Sequence, residues 1–362
     1  MPPAPPAIRP GGVFRHLIRH PKGQDMKYGL IAALVALPLR ALTSTAFAAP
    51  TAYPLTIDNC GSNVVIEKAP QKAVGLGQNS TEILLMLGLA DRMAGSAIWV
   101  SPVLPELAAD NQQVHRIANS TPNFEAVVAR DPDFIAAQFL TSVGPQGRVG
   151  TRQQFADLGV PSYVSPTDCA VTDNAVSDGS RKKMFSMDLL YQEIGELSRI
   201  FDVADRGEKL IANIKAREAA VRARVADKAK DVSLVYWFSS PEVAGDAWMA
   251  GKNGASGYIT QVLGAKNIVS SEQEWPLVGW EAIAAENPTV IVIGTMDRRN
   301  QGADDPAVKK QFLTTDPVVS KLDAVEKGHI VEMDAQAMNP TVRTITGLET
   351  VAASLESFGL LK

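Results

Sequence analysis

The stretch VADRGEKLIANIKAREAAVRARVAD, which begins at Val203, constrains the fold more than any other part of the chain. Its apolar residues recur at intervals typical of one helix face: Leu210, Ile211, Ile214, Val221 and Val225. Charged residues occupy the other faces, so the pattern predicts one long, stiff helix over residues 203–228. At about 1.5 Å per residue, such a helix is roughly 37 Å long, the width of a small domain. It could join two lobes, or it could be an ordinary surface helix of one domain.

Strand and helix signals alternate on both sides of this helix, which is typical of α/β folds with mainly parallel sheets. We therefore predict an N-terminal lobe over residues 49–202, a linking helix over 203–228 and a C-terminal lobe over 229–362. In the first lobe, a hairpin is expected around Cys60, and Asn79 or Ser80 is expected to cap the first helix.

Two segments of the chain echo each other. FEAVVARDPDFI begins at Phe124 and WEAIAAENPTVI begins at Trp280, and both start with an aromatic residue, a glutamate and an alanine and share the later proline and isoleucine. The match favours two lobes of related design, although short helix–proline–strand patterns also arise by chance. A ligand cleft is expected between the lobes, because domain interfaces are favoured sites for small molecules.

The N-terminal part of the chain reads as an export signal. The apolar run that starts at Tyr28 is too short to span a bilayer, and Ala46-Phe47-Ala48 is a typical cleavage signal. We expect residues 1–48 to be an extension plus signal peptide, with cleavage near Ala48 and Ala49, and residues 1–25 to precede the true start. No cysteine stands at the cleavage point, so a soluble periplasmic protein without a lipid anchor is expected.

Composition narrows the remaining choices. The net charge is −4, and residues 1–48 carry six basic side chains against one acid, so the rest of the chain is acidic and nucleic acid is not an expected partner. The two cysteines, Cys60 and Cys169, could form a disulfide in an oxidising compartment, or they could be two free thiols.

Several segments together resemble one family. These segments are PQKAVGLGQNSTEILLMLGLADRMAGSA, NFEAVVARDPDFIAA, VLGAKNI, WPLVGWEAIAAENPTVIVI and DAVEKGHIVEMD. In order and spacing, residues 70–355 resemble the helical-backbone substrate-binding proteins of ABC importers for iron-siderophore complexes, haem and cobalamin. The resemblance implies two Rossmann-like lobes with little hinge motion, a shallow cleft for a metal chelate, and a permease with its ATPase as partner. It also implies a monomer with no cofactor of its own.

Glu125 and Glu281, the glutamates of the two echoed segments, match the positions with which the family docks onto its permease. One exposed carboxylate on each lobe would orient the protein and steer it electrostatically. The alternative is that each glutamate only stabilises the first turn of its helix, where the dipole favours an acid.

Tryptophans are the first candidates for the cleft. The resemblance places Trp99 and Trp275 in the cleft wall, and Trp237 and Trp248 are further candidates; packing in the core is the alternative for all four. Asn119 and Gln138 stand where cobalamin binders can carry aromatic residues, which disfavours cobalamin.

Arginines are the second group of candidates, because ferric catecholates and carboxylates are often anionic. Arg148, Arg181 and Arg343 are candidates, and surface salt bridges are the alternative. Arg343 precedes the last helix, where the family often has an arginine near the cleft.

Other functions remain as alternatives. A haem protein of the same scaffold would need an axial ligand, for which Met338 or Tyr258 could serve. A site for a bare zinc or manganese ion is disfavoured, because His115 and His329 are the only histidines after the expected signal. An exported enzyme is disfavoured because G-x-S-x-G, H-E-x-x-H and Walker A motifs are absent from the sequence, and GLGQNS departs from a dinucleotide loop.

Overall fold

The computed structural model describes residues 49–173, 178–226 and 228–362. The expected extension and signal peptide, residues 1–48, lie outside the described residues. The strands are β1 (Leu55–Asn59), β2 (Ser62–Ile66), β3 (Ala73–Leu76), β4 (Met93–Ala97), β5 (Arg116–Ala118), β6 (Phe134–Ala137), β7 (Ser162–Val164), β8 (Ser233–Ser239), β9 (Ala247–Met249), β10 (Lys266–Asn267), β11 (Leu277–Val278), β12 (Val290–Thr295) and β13 (Ile330–Asp334).

Helices connect these strands in both halves of the chain. They are α1 (Gln78–Met86), α2 (Ala108–Asn111), α3 (Phe124–Val128), α4 (Leu140–Val143), α5 (Arg152–Asp157), α6 (Pro166–Cys169), α7 (Met187–Ile200), α8 (Ala204–Val225), α9 (Ala255–Leu263), α10 (Trp280–Glu286), α11 (Pro306–Thr315), α12 (Asp323–Glu326) and α13 (Thr344–Ser357). None of the described helices is both long and apolar enough to cross a membrane.

The N-terminal lobe is built on a sheet with the strand order β5-β4-β3-β6-β7, in which every described pairing is parallel. The chain turns sharply from β3 into α1 at Gly77, whose φ of 125° suits glycine. The antiparallel hairpin β1-β2 lies beside this sheet, and a disulfide joins Cys60 at its turn to Cys169 at the end of α6. The hairpin is therefore tied covalently to the carboxyl end of the sheet.

The C-terminal lobe is built on a sheet with the order β11-β9-β8-β12-β13, and β10 pairs with the first residues of β8. The strands β8, β10, β12 and β13 are parallel, whereas β9 runs antiparallel to β8 and to β11. This sheet is mixed, which the alternation of strands and helices in the sequence did not indicate, because β9 and β11 are too short to show a periodic pattern.

The long helix α8 joins the two lobes, as predicted, and one continuous apolar core runs past it from the first sheet to the second. Glu218, near its middle, connects the lobes directly. Its carboxylate accepts hydrogen bonds from Tyr191 of α7 at 3.3 Å and from Tyr258 of α9 at 2.6 Å. The predicted fold class, two α/β lobes joined by one long helix, is confirmed.

The echoed segments occupy equivalent places in the two lobes. Each forms a short helix, α3 or α10, that leads into the strand beside the central strand of its sheet. The leading aromatic residue anchors each helix: Phe124 packs on Phe155 at 5.0 Å between ring centroids, and Trp280 packs on Trp237 at 4.8 Å. The shared pattern thus reflects a shared plan of construction.

Candidate ligand-binding cleft

A cavity of about 240 Å³, partly open to solvent, lies between the two lobes. It is formed by loops at the carboxyl ends of strands in both sheets, the usual position of ligand sites in α/β folds. Residues of the N-terminal lobe and of the C-terminal lobe line it: Ile98, Val100, Gln138, Phe139, Thr141, Arg148, Thr167, Asp168, Val171, Asp178, Arg181, Phe238, Glu274, Trp275, Arg298, Gln336, Asn339 and Pro340. We call this space the main cavity.

A second cavity, which we call the side cavity, shares Ile98, Val100 and Arg298 with the main cavity. A backbone bridge lies where they meet, because the carbonyl of Val100 accepts hydrogen bonds from the N–H groups of Asp297 and Arg298 at 3.0 and 3.1 Å. A second bridge between lobes lies at the other edge of the main cavity, where the N–H of Arg181 donates to the carbonyl of Glu272 at 2.8 Å. The cleft is therefore framed by main-chain contacts.

Aromatic side chains form part of each cavity. In the main cavity, half-buried Trp275 packs on Phe238 with 4.6 Å between ring centroids. In the side cavity, Trp99 is largely buried, and the guanidinium of Arg116 lies 4.1 Å from its ring centroid. Trp99 and Trp275 thus line adjoining cavities from opposite lobes, and their contact with a ligand stays a prediction.

The other two tryptophans lie elsewhere, which corrects their assignment as ligand contacts. Trp237 is fully buried in the core of the C-terminal lobe, between Trp280 and Phe312. Trp248 stands on β9 opposite Leu277 and lines neither cavity. Trp237 therefore has the core packing that the sequence left open as the alternative, and Trp248 packs in the sheet.

The expected arginines differ sharply in their surroundings. Arg181 lines the main cavity but forms a buried ion pair with Glu274. Arg343 lines neither cavity, and this corrects its assignment to the cleft. Its buried guanidinium pairs with Glu82 of α1, in the N-terminal lobe, and with Asp334 of its own C-terminal lobe. Burying an arginine requires such partners, and here they join the two lobes. Exposed Arg148 stands at the rim of the main cavity.

Asp168 is a titratable group in the wall of the main cavity. Burial raises the pKa of this carboxyl to about 6, whereas the N–H of Leu140, which donates to Oδ2, and the charge of Arg181 favour the ionised form. The carboxylate is therefore charged at pH 7 and mostly neutral at pH 5.

A sequence profile of periplasmic binding proteins matches residues 74–337, more than half of the chain. The chain belongs to the periplasmic binding protein family. It is 24% identical over 307 residues to the ABC transporter substrate-binding lipoprotein YvrC of Bacillus subtilis, covering 84% of this chain and 86% of YvrC. The ferric-anguibactin-binding protein FatB of Vibrio anguillarum is also 24% identical over 307 residues, 83% of this chain and 86% of FatB.

Solved structures agree with this family at the level of the fold. A crystal structure described as an ABC-type Fe3+-hydroxamate transport system from Saccharomonospora viridis superposes with a TM-score of 0.66 at 22% identity, over 84% of this chain and 99% of that one. The resemblance drawn from the sequence is confirmed. As a periplasmic binding protein, the chain is a binding component and not an enzyme.

In this binding protein, Glu125 and Glu281 are both exposed, each as the second residue of its helix. Asn123 caps α3 by accepting a hydrogen bond from the N–H of Ala126 at 2.8 Å, so the first turn that carries Glu125 is well fixed. Neither glutamate forms an ion pair within the described residues. The two carboxylates therefore present free negative charge, one on each lobe.

Residues that could ligate a haem iron lie outside the cleft. Met338 is buried in the core, and Tyr258 is held by Glu218 and by Arg222. Among the described residues that line the two cavities, there is no histidine, tyrosine, methionine or cysteine. The described part of the chain also contains no group of three or more His, Cys, Asp or Glu residues placed to hold a metal ion.

Several cleft residues were missed by sequence reasoning. Arg298, Asp168 and Phe238 all line the main cavity, and Arg298 is held by the buried carboxylate of Asp304. Their common signal is a position close to the carboxyl end of a strand: Phe238 is the last residue but one of β8, and Arg298 and Asp168 follow β12 and β7. Ligand contacts collect at this end of the strands in α/β proteins. The buried ammonium group of Lys309 lies behind Phe238 and donates a hydrogen bond to its carbonyl at 2.5 Å, which fixes this part of the cavity wall.

Proposed function

We propose that this periplasmic binding protein captures a ferric siderophore, or a similar metal chelate, and delivers it to the permease of an ABC importer. The observation that carries the proposal is the cavity between the lobes, which is open to solvent on one side and combines aromatic side chains with hydrogen-bond donors and acceptors. A chelate needs both features, because its periphery is partly apolar and its metal-binding groups are rich in oxygen. The similarity to the ferric-anguibactin-binding protein FatB and to the Fe3+-hydroxamate transport protein of Saccharomonospora viridis supports an iron-chelate cargo.

A fluorescence titration tests this proposal. The purified protein is titrated with ferric hydroxamate, catecholate and carboxylate siderophores, with haem and with cobalamin, and the metal-free chelators serve as controls. We expect saturable quenching by one ferric class, weakened at least about tenfold by Trp275→Ala, which removes an aromatic wall of the cleft. The matched variant Trp248→Ala, outside both cavities, should bind like the wild type. Equal affinity for metal-loaded and metal-free chelators would contradict the proposal.

Haem is the weaker candidate for the cargo. The described residues of the two cavities supply no axial ligand of the usual types, so a bound haem iron would be coordinated by the protein only after a large rearrangement. A Soret shift on addition of haem, abolished by substitution of Met338 or Tyr258, would favour haem instead.

We also propose that Glu125 and Glu281 dock the protein onto its permease. Their exposure, their lack of ion-pair partners among the described residues and their equivalent positions on the two lobes support this role. The double variant Glu125→Gln/Glu281→Gln should bind the reconstituted permease about tenfold more weakly and keep its affinity for the chelate. Glu67→Gln, an exposed site on the hairpin, is the matched control. Unchanged permease binding by the double variant would refute this role.

Export, processing and domain boundaries complete the proposal. We propose that the chain is secreted to the periplasm, is cleaved near Ala49 and functions as a soluble monomer with lobes 49–202 and 229–362 around the helix 203–228. The absence of a cysteine at the expected cleavage point supports a free protein, in contrast to the lipoprotein YvrC. Mass spectrometry of the exported chain and light scattering of the purified protein test these points.

A further inference from the structure

Half of the charged side chains of the main cavity are held in ion pairs inside the protein. Those that line the main cavity, among the described residues, are Arg148, Asp168, Asp178, Arg181, Glu274 and Arg298. The residues 174–177, which are not described, are Asn-Ala-Val-Ser and carry no charged side chain. The formal charge of the cavity can therefore be counted from these residues.

Two of the three arginines are neutralised inside the protein. Arg181 pairs with buried Glu274, and Arg298 donates two hydrogen bonds to Asp304, at 3.0 Å and 2.9 Å. Asp304 is completely buried and accepts a further bond from Ser239 at 2.6 Å. These guanidinium groups keep N–H donors for a ligand, but they add no net positive charge to the cleft.

Three charges are left without such a partner in the main cavity. Arg148 at the rim is positive, and Asp168 and Asp178 are negative, so the cavity carries no net positive charge at pH 7. Asp168 accepts a hydrogen bond from Leu140 through Oδ2 only, which leaves Oδ1 available for a ligand. Asp178 lies where the charges of both Arg148 and Arg298 act on it, and no hydrogen bond to it is found in the described part of the chain.

The side cavity does not reverse this balance. It adds Arg116, Arg299 and Asp297 to the lining, and Arg299 lies 3.8 Å from the carboxylate of Asp305. Once Asp304 and Asp305 are counted against their arginines, the two cavities together offer no excess of positive charge to a polyanion.

The charge of a ferric siderophore depends on its metal-binding groups. Three hydroxamates each lose one proton and neutralise the ferric ion, whereas three catecholates each lose two protons and leave a trianion. Placing a trianion in a cleft with free carboxylates and no net positive charge is unfavourable, because its lost hydration is not replaced. A ferric tris-hydroxamate that carries an ammonium group is a cation, and the free carboxylates of the cleft favour its binding.

We infer that the cargo is a neutral or cationic ferric hydroxamate rather than an anionic catecholate or carboxylate chelate. In this inference, which rests on the proposed function, Asp168 and Asp178 accept hydrogen bonds from an ammonium or amide group of the chelate. The N–H groups of Arg181 and Arg298 donate to its neutral hydroxamate oxygens, and Trp275 with Phe238 contacts its aliphatic linkers.

Isothermal titration with chelates that differ in charge tests the inference. The probes are a linear ferric tris-hydroxamate with a free terminal amine, its N-acetylated neutral form, and a ferric tris-catecholate. We expect the amine form to bind about tenfold more tightly than the acetylated form, because it adds one charge-assisted hydrogen bond, and the tris-catecholate to bind much more weakly than both. In the double variant Asp168→Asn/Asp178→Asn, the amine and acetylated forms should bind within about twofold of each other.

The matched control is Asp91→Asn, which removes an exposed carboxylate of the N-terminal lobe outside both cavities and should keep the tenfold preference. Tighter binding of the tris-catecholate than of either hydroxamate would overturn the inference while leaving the proposed function intact. Retention of the tenfold preference in the double variant would also overturn it. Failure of all ferric probes to bind would overturn the proposed function and the inference together.

Discussion

Glu193 of α7 is a fully buried carboxyl group at the junction of three elements of the N-terminal lobe. It accepts hydrogen bonds from the hydroxyl groups of Ser165 and Ser80 and from the side-chain amide of Asn79. Burial raises its pKa to about 7, although these three donors favour the ionised form and the charge of Glu196 opposes it. The folded protein therefore holds a proton on Glu193 at pH values at which the unfolded chain has lost it.

The size of the effect follows from this displacement. A rise in pKa from 4.5 to about 7 corresponds to about 3 kcal/mol, because one pH unit is worth about 1.4 kcal/mol. Below pH 4.5 both states are protonated and Glu193 adds no pH dependence. Between pH 4.5 and 7 the folded state binds more protons than the unfolded state, so this group lowers the free energy of unfolding as the pH rises. Above about pH 7, the free energy of unfolding has lost the whole contribution of this group.

The variant Glu193→Gln isolates this contribution. Both proteins are unfolded with urea between pH 4.5 and 8. Over this range, the free energy of unfolding of the wild type should fall by about 3 kcal/mol more than that of the variant. Glu208→Gln removes an exposed carboxylate of α8 and should follow the wild-type profile. If Glu193→Gln and wild type run parallel over this range, the buried carboxyl does not titrate as its burial requires, and the reasoning is refuted.

Further consequences concern the disulfide, the ion pair between lobes and the cleft. Replacing Cys60 and Cys169 by serine opens a loop with a sequence separation of 109 and should destabilise the protein by about 4 kcal/mol, measured by urea unfolding against the disulfide-bonded wild type. Arg343→Met leaves the carboxylate of α1 buried without its partner and should cost about 3–5 kcal/mol, whereas Arg217→Met, at a half-exposed pair, should cost less than about 1 kcal/mol. Binding of the amine-bearing hydroxamate should weaken as the pH falls through about 6, where Asp168 gains its proton, and a pH-independent affinity in a titration series would contradict this.

Features with a local, periodic signal were predictable from the sequence. The long helix α8, the hairpin and the echoed segments all depend on spacing between nearby residues or on turn residues at the expected positions. The positions of Trp99 and Trp275 followed from the family resemblance, because the same scaffold presents the same strand ends to the cleft.

Features that depend on partners distant in sequence were not predictable. Asn79 and Ser80 do not cap α1, because their side chains serve buried Glu193, which lies 114 and 113 residues further along. Arg343 was assigned to the cleft because it is cationic and because the family often has an arginine there before the last helix, but its partner in α1 lies 261 residues away. A sequence shows the type of each charged group, whereas its pairing is decided only when the elements pack.

The most direct test of the account is to locate the iron. Crystals of the protein with a ferric tris-hydroxamate, measured at the iron absorption edge, should show one anomalous peak in the main cavity, between Trp275 and Asp168 of α6. A peak outside the space between the lobes, or iron held directly by protein side chains without the chelator, would contradict the central claim that this cleft captures an intact ferric chelate.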